Sequence, residues 1–371
     1  PQEKVKVLKW FDDYWIFLEL RGFRSINENI EKHINISLCV FQGEASDEDK
    51  YQLFRAEWDD FCNPDEIHSQ PHWHITSSQA LEKTFVSYDG KKIGYREWKP
   101  ENPTGLVQIA HGMAESTVRY DDFAEYLKGR GFIVFGDDHR GHGLTDPGKT
   151  GYCEGEMFED TLKDMATLTK IYKEEYPDLP FFIFGHSYGS FLTQAYIERY
   201  PDNACGAVLC GSAYLHNASS FFADVVASAN CLFGKKNRPA KLIEKLSFGI
   251  YNKKCAEGTF ISSILEECDK YAECPDCNFT LSYAFYKSFF GNLSKNYKKK
   301  YYKNVNTDMP LLIIAGKDDP VGGYGKLIDK LYDFYKHKVG VEKVEKVLYP
   351  GVRHELLNDT SREDAYKKIG D

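Results

Sequence analysis

From about residue 84 onward the chain alternates short apolar runs with helical patterns. GLVQIA, GFIVFGD, PFFIFG, GAVLCG and PLLIIAG are apolar without strict alternation, as strands covered on both faces must be. Between several of them apolar positions recur at helical spacing. Leu162, Met165 and Leu168 are three apart, and Leu327, Leu331 and Phe334 are three to four apart. This βα rhythm predicts an α/β fold, a mostly parallel central sheet with helices on both faces. TFVSYDG and KKIGYREW lead into it as two strands, and the Asp89-Gly90 step between them is a hairpin signal.

Two stretches depart from this rhythm. Residues from about 213 to 307 are rich in Phe, Tyr, Lys and Cys, with helix-like segments and no clear strand. They fall between two strands of the sheet and predict a helical lid inserted above the carboxyl ends of the strands, where ligands bind in such sheets. Residues 1–83 read differently: INISLCVFQG, KYQLFRAEWDDF and PHWHIT are strand-like runs between polar turns. With the aromatic segment before them they predict a small α+β extension. The domain reading is therefore an accessory segment at 1–83, of unassigned role, and a main domain at 84–371 carrying the insertion.

Composition narrows the function classes. Hydrophobic residues make up 42% and charged residues 28%, with a formal net charge of −9. A nucleic-acid partner is not expected, because phosphate neutralisation calls for a basic surface. The segment Val5–Phe23 is aromatic but carries Lys9, Asp12, Asp13 and Glu19, so it reads neither as a membrane helix nor as a signal peptide. The ten cysteines are scattered, and a cytoplasmic location with reduced thiols is the expectation. Cys268, Cys274 and Cys277 form the one cluster; they read as packing thiols, because a structural zinc site calls for four ligands. No oligomeric state follows from the sequence.

The chemistry centres on Gly185-His186-Ser187-Tyr188-Gly189. The string follows the apolar run PFFIF and precedes SFLTQAYIERYP, a helical pattern ending before Pro201. Strand, tight turn and helix around G-x-S-x-G make a nucleophile elbow, in which Ser187 attacks. A serine hydroxyl needs a base to take its proton, and in this arrangement the acid and then the histidine follow the serine along the chain. His216, His337 and His354 are the histidines after Ser187. His354 follows a strand-like run and a Pro-Gly turn, which puts it on the same rim as the elbow. His337 sits in Lys-rich DFYKHK and reads as solvated, and His216 as a polar group at the start of the insertion. The orienting acid belongs on the loop after PLLIIAG, where Asp318 and Asp319 both qualify. The tetrahedral intermediate needs two backbone donors, and Tyr188 and Met113 stand at the two expected places. Asp138-His139-Arg140-Gly141-His142-Gly143 offers two histidines but favours a rigid loop with Arg140 paired to an acid. His68, His72, Trp73 and His74 lack further ligands and read as a polar strand. No metal and no cofactor is expected.

HGMAESTVRYDDFAEYL, DDHRGHGLTD, GHSYGSFLTQAYIERYP, AGKDDPVG and YPGVRHELLND resemble the monoacylglycerol lipase and lysophospholipase branch of the α/β-hydrolases, grouped with serine aminopeptidase-like hydrolases. The resemblance runs from about residue 84 to the last residue. It implies the α/β-hydrolase fold and the triad Ser187, Asp319 and His354, the acid standing directly before Pro-Val. It also implies Met113 and Tyr188 as oxyanion donors and a structural role for DHRGHG. KLSFGIYNKK and CDKYAECPDCNF look like the lid of bacterial members. The expected function is serine-dependent hydrolysis of a lipid-like carboxylic ester, a monoacylglycerol or lysophospholipid, through an acyl-enzyme. Peripheral membrane contact through the lid goes with it. A peptidase or thioesterase on the same triad, or a catalytically silent binding protein, are the alternatives.

Overall fold

The computed structural model describes residues 8–11, 14–24, 32–42, 51–59, 72–75, 80–152, 154–216, 218–255 and 258–371. The chain divides into two compact units, Pro1–Leu81 and Glu82–Asp371. In the first unit, strands β1 (Leu8–Phe11), β2 (Tyr14–Arg24), β3 (Lys32–Gln42), β4 (Tyr51–Asp59) and β5 (His72–Ile75) form one sheet in chain order. Every pairing in it is antiparallel. The α+β layer expected from the sequence is thus represented, among the described residues, by strands alone. His68 lies outside the described residues, and His72, Trp73 and His74 lie in β5.

In the second unit the apolar runs become an eight-stranded sheet. Its strands are β6 (Leu81–Val86), β7 (Lys92–Trp98), β8 (Gly105–Ala110), β9 (Phe132–Asp137), β10 (Phe181–His186), β11 (Gly206–Cys210), β12 (Leu311–Gly316) and β13 (Val344–Tyr349), in the order β13-β12-β11-β10-β8-β9-β7-β6. From β13 to β9 all neighbours are parallel, and β7 joins β9 antiparallel. The Asp89-Gly90 turn is closed by hydrogen bonds from Gly90 N–H to Ser87 O and from Ser87 N–H to Lys91 O. Every residue of β8 is buried, as a run without alternation requires when helices cover both faces.

The helices behind these strands are α1 (Asp121–Gly129), α2 (Met157–Glu175) and α3 (Tyr188–Arg199). Leu162, Met165 and Leu168, the positions singled out by spacing, are buried in the core. Phe135 of β9 stacks on Tyr172 of α2 with ring centroids 3.7 Å apart. Burying a side chain of this size removes enough apolar surface to stabilise the fold by roughly 1.5–3 kcal/mol. Between β11 and β12 the chain forms α4 (Ala218–Leu232), α5 (Lys241–Leu246), α6 (Phe248–Asn252), α7 (Leu265–Glu273), α8 (Tyr283–Leu293) and α9 (Lys299–Tyr302). Then α10 (Lys326–Asp333) and α11 (Arg362–Gly370) flank β13. Among the described residues no helix is long and apolar enough to cross a membrane.

Helix α3 anchors the elbow, and its Glu198 gives a pH-dependent test of its packing. Both Glu198 carboxylate oxygens are buried without a hydrogen-bond partner among the described residues, and the Arg199 guanidinium at 3.9 Å is too far to donate. Burial outweighs the Arg199 charge and pushes the carboxyl up to about 9. The folded chain then keeps a proton that the unfolded chain releases above the ordinary value of 4.5, so this group lowers stability as pH rises between those two values. Glu198→Gln is expected to melt with the parent at about pH 5 and clearly above it at about pH 8. Parallel melting curves at both pH values would remove Glu198 as the cause.

Candidate active site

The serine sits where local backbone demands are most severe. Ser187 follows β10 directly, opens α3, and has φ 50° and ψ −115°, a conformation that costs a non-glycine residue of order 1–3 kcal/mol. The flanking glycines are required by approach distance. A Cβ on Gly189 would lie 1.9 Å from Ala110 O, and one on Gly185 would lie 2.3 Å from Thr193 Oγ1. Ser187 N–H donates to Cys210 O at 3.0 Å, which ties the turn to β11.

The neighbouring loops bring the partners. His354 Nε2 lies 2.9 Å from Ser187 Oγ, and His354 Nδ1 lies 2.9 Å from Asp319 Oδ2. His354 comes from the loop after β13 and Asp319 from the loop after β12, so all three residues stand at carboxyl ends of strands. Asp319 is fully buried, and its other oxygen accepts Val321 N–H at 2.8 Å. Asp318 is exposed and its backbone N–H donates to Val352 O. The geometry therefore separates the two aspartates that spacing left equal. His216 and His337 are exposed and lie outside this group.

Met113 and Tyr188 both line the space around Ser187. The loop carrying Met113 is pinned at the next residue. Ala114, at φ 56°, donates its N–H to His142 Nε2 at 3.2 Å, and its carbonyl accepts from Asn278 N–H at 2.9 Å and from Tyr271 Oη–H at 3.0 Å. Burial, reinforced by the neighbouring His139, pushes His142 down to about 4. It is thus neutral at pH 7; its Nδ1 faces Arg140 O at 3.0 Å and its Nε2 is left to accept.

Two cavities meet at Ser187 and Met113. One, of about 250 Å³, is lined by apolar side chains including Phe191, Leu215, Val226, Ile243, Phe289 and Phe290. The other, of about 160 Å³, has a mixed lining in which Phe248, Phe260, Ile261 and Tyr271 stand beside Glu115, His186, Asn252, Thr259 and Glu355. A larger space of about 530 Å³, bordered by Phe182, Gly206, Pro310 and Lys343, lies at the amino ends of the strands, away from Ser187.

A family model described as serine aminopeptidase, S33, matches residues 101–361, most of the second unit. The chain belongs to the serine aminopeptidase S33 family. Its fold is that of the α/β-hydrolases. A monoacylglycerol lipase of Mycolicibacterium smegmatis is 29% identical over 290 residues, spanning 77% of this chain and 94% of the relative. A monoglyceride lipase of Mus musculus is 34% identical over 137 residues, 36% of this chain and 44% of the relative. A thermostable carboxyl esterase from Bacillus coagulans, solved with glycerol, superposes with a TM-score of 0.71 at 29% identity, over 78% of this chain and 96% of that one.

In this S33 chain the structure adds a cluster that the motif reading passed over. Arg119 hydrogen-bonds Glu355 and lies 3.6 Å from Glu115. Glu115 Oε1 accepts from Gly112 N–H and from Tyr120 Oη–H, and sits 3.3 Å from His186 Nδ1. Burial alone would raise the Glu115 carboxyl, but the His186 hydrogen bond and the charges of His186 and Arg119 outweigh it and hold it at about 2. Burial disfavours the His186 charge, yet Glu115 raises its affinity for a proton. The signal was adjacent in sequence: Glu115 and Arg119 follow Met113, and Glu355 follows His354. No spacing rule joins them, because Arg119 and Glu355 are 236 residues apart.

Arg140 is paired twice, Nε to Asp164 Oδ2 at 2.6 Å and Nη1 to Asp89 Oδ2 at 2.6 Å. His139 and His142 are buried beside it. Among the described residues no group of three or more His, Cys, Asp or Glu side chains is arranged to hold a metal. Cys274 and Cys277 lie side by side, whereas Cys268 points to Ser262 O.

Proposed function

We propose that this protein is a serine carboxylic ester hydrolase acting on monoacylglycerol-like lipids, with Ser187, His354 and Asp319 as the triad. The observation that carries the reading is the placement of Ser187 between an apolar cavity and a smaller one that also carries polar and charged side chains. An ester whose acyl chain fills the first and whose alcohol fills the second has its carbonyl at Ser187 Oγ. Glycerol suits this smaller cavity better than a phosphodiester. Asn252 and Thr259 line this side as uncharged partners for hydroxyls, and Arg119 is already committed to Glu115 and Glu355 and not free to pair with a phosphate.

The chemistry runs through one proton carrier. His354 Nε2 takes the Ser187 proton as Oγ attacks the carbonyl carbon, and Asp319 holds the ring and stabilises the imidazolium. The Met113 and Tyr188 N–H groups receive the oxyanion. Collapse expels the alcohol with the proton from His354 and leaves an acyl-serine. Water repeats the sequence and releases the fatty acid.

Residues 213–307 act as a lid in this reading, and its outer face meets lipid. Phe221, Phe222, Leu232 and Phe233 of and after α4 are 71%, 59%, 86% and 80% exposed, and Phe222 also borders the apolar cavity. Exposed large apolar groups along a helix that borders the cavity at Phe222 suit peripheral contact with a membrane surface. Residues 1–83 form an accessory unit. The free thiols of Cys205, Cys210, Cys231, Cys255, Cys268, Cys274 and Cys277 suit a cytoplasmic setting.

The test is a hydrolysis panel with Ser187→Ala as the blank: monoacylglycerols of several chain lengths, lysophosphatidylcholine, short p-nitrophenyl esters and an aminoacyl amide. Serine-dependent turnover is expected to be highest on the long-chain monoacylglycerols. Preference for lysophosphatidylcholine overturns the head-group assignment, and turnover of the amide alone overturns the esterase reading.

A further inference from the structure

The turn after α7 holds two thiols in contact. Cys277 N–H donates to Cys274 O at 3.1 Å, closing a turn over Pro275 and Asp276. Proline pre-sets the backbone for the second position of such a turn. A four-residue turn keeps its end Cα atoms within about 7 Å, inside the range that a disulfide spans. The side chains are already directed at each other: the Cys277 thiol donates to Cys274 Sγ at 2.9 Å. Cys274 is half-buried and reachable, and Cys277 is buried behind it. This is the arrangement of an attacking and a resolving thiol.

The same turn is tied on both sides to the loop beside Ser187. Tyr271, three residues before Cys274, and Asn278, directly after Cys277, both donate to the carbonyl of Ala114. Ala114 follows Met113. We propose that Cys274 and Cys277 are a redox-active dithiol that closes to a disulfide by exchange with a small-molecule disulfide and thereby shifts the Met113 loop. The link to the loop rests on the reading of Met113 as an oxyanion donor; the dithiol itself does not.

The exchange balances without further reactants. The Cys274 thiolate attacks one sulfur of the small disulfide, forms a mixed disulfide and releases the first small thiol. The Cys277 sulfur, its proton passing to that released thiolate, attacks Cys274 Sγ and expels the second. Two protein thiols are oxidised to one disulfide and one small disulfide is reduced to two thiols. The hydrogen bond from Cys277 outweighs burial and lowers the Cys274 thiol to about 7, so a large fraction is thiolate at neutral pH. Cys268, six residues before Cys274, is engaged with Thr259 and Ser262 instead.

The full chain is equilibrated in graded mixtures of reduced and oxidised glutathione, quenched with acid and labelled with a maleimide, and the peptide carrying both cysteines is weighed. It is expected to lose both labels together as the mixture becomes oxidising. Retention of both labels in oxidised glutathione alone overturns the dithiol. In parallel, the rate at which a fluorophosphonate labels Ser187 is expected to fall roughly fivefold on oxidation, the equivalent of one backbone hydrogen bond, and to be insensitive in Cys277→Ser. Oxidation with an unchanged labelling rate overturns the coupling to the loop. A reduced protein that is never labelled overturns the hydrolase reading, and the thiol count still decides the dithiol.

Discussion

Ser187→Ala is expected to lower ester turnover by about 10⁴- to 10⁶-fold while leaving the melting temperature within error of the parent. The hydroxyl is small and touches little besides His354, so its loss removes the nucleophile and not the packing. His354→Ala is expected to fall into the same range, because the Ser187 hydroxyl without a base stays protonated. The double variant should lose no more than either single one, since groups that act in one step are not additive. Asp319→Asn is expected to cost about 10⁴-fold, because an amide no longer fixes the tautomer that leaves Nε2 facing Ser187 Oγ. The measurement is kcat on a long-chain monoacylglycerol, with fluorophosphonate labelling as an active-site count. Losses that add across the double variant would show that Ser187 and His354 do not work as one unit.

The second large effect is on stability. Arg119 is almost wholly buried between Glu115 and Glu355. Arg119→Ala leaves Glu355 in a low-dielectric pocket without its counter-charge and Glu115 with His186 alone, which is expected to cost about 3–5 kcal/mol and to lower the melting temperature by on the order of 10 °C. Arg119→Lys should recover only part of this, because a point charge does not replace the guanidinium fork between two acids. The sign of the pH dependence follows from Glu115. It titrates at about 2 in the fold against an ordinary 4.5, so its pairing adds stability above pH 4.5 that is lost as pH falls towards 2. The penalty of Arg119→Ala is therefore expected to be full at neutral pH and to shrink in acid. A thermal shift within a few degrees at pH 7 would mean that solvent already screens the cluster. Turnover should fall as well, because Glu115 and Glu355, which border the smaller cavity beside Ser187, lose the charge that orders them.

What could be read from the sequence was local. The elbow was legible because its backbone demands are written in adjacent positions: glycines where the chain approaches Ala110 and Thr193, and a serine between strand and helix. The parallel sheet was legible because burial on both faces leaves a run such as GLVQIA with no polar face to show. His354 could be reached by elimination among three histidines and by its place after a strand. Asp319 was chosen by resemblance, since Asp318 satisfies the same spacing. The tertiary structure separates the two, because the turn after β12 buries one carboxylate against His354 and leaves the other in water.

Other features belong to the packing alone. Arg119 meets Glu355 only because the loops after β8 and β13 converge over the carboxyl ends of the sheet, and no local pattern encodes which distant loops converge. The turn at Cys274 likewise reaches Ala114 through the path of the helical insertion. Backbone conformation and burial periodicity are decided within a few residues, so the sequence by itself determined the fold class and the strand–turn–helix that carries Ser187. Electrostatic partners and cavities depend on contacts made across hundreds of residues, so the physical separation of Asp319 from Asp318, the charge cluster and the two-sided pocket were decided only by the fold.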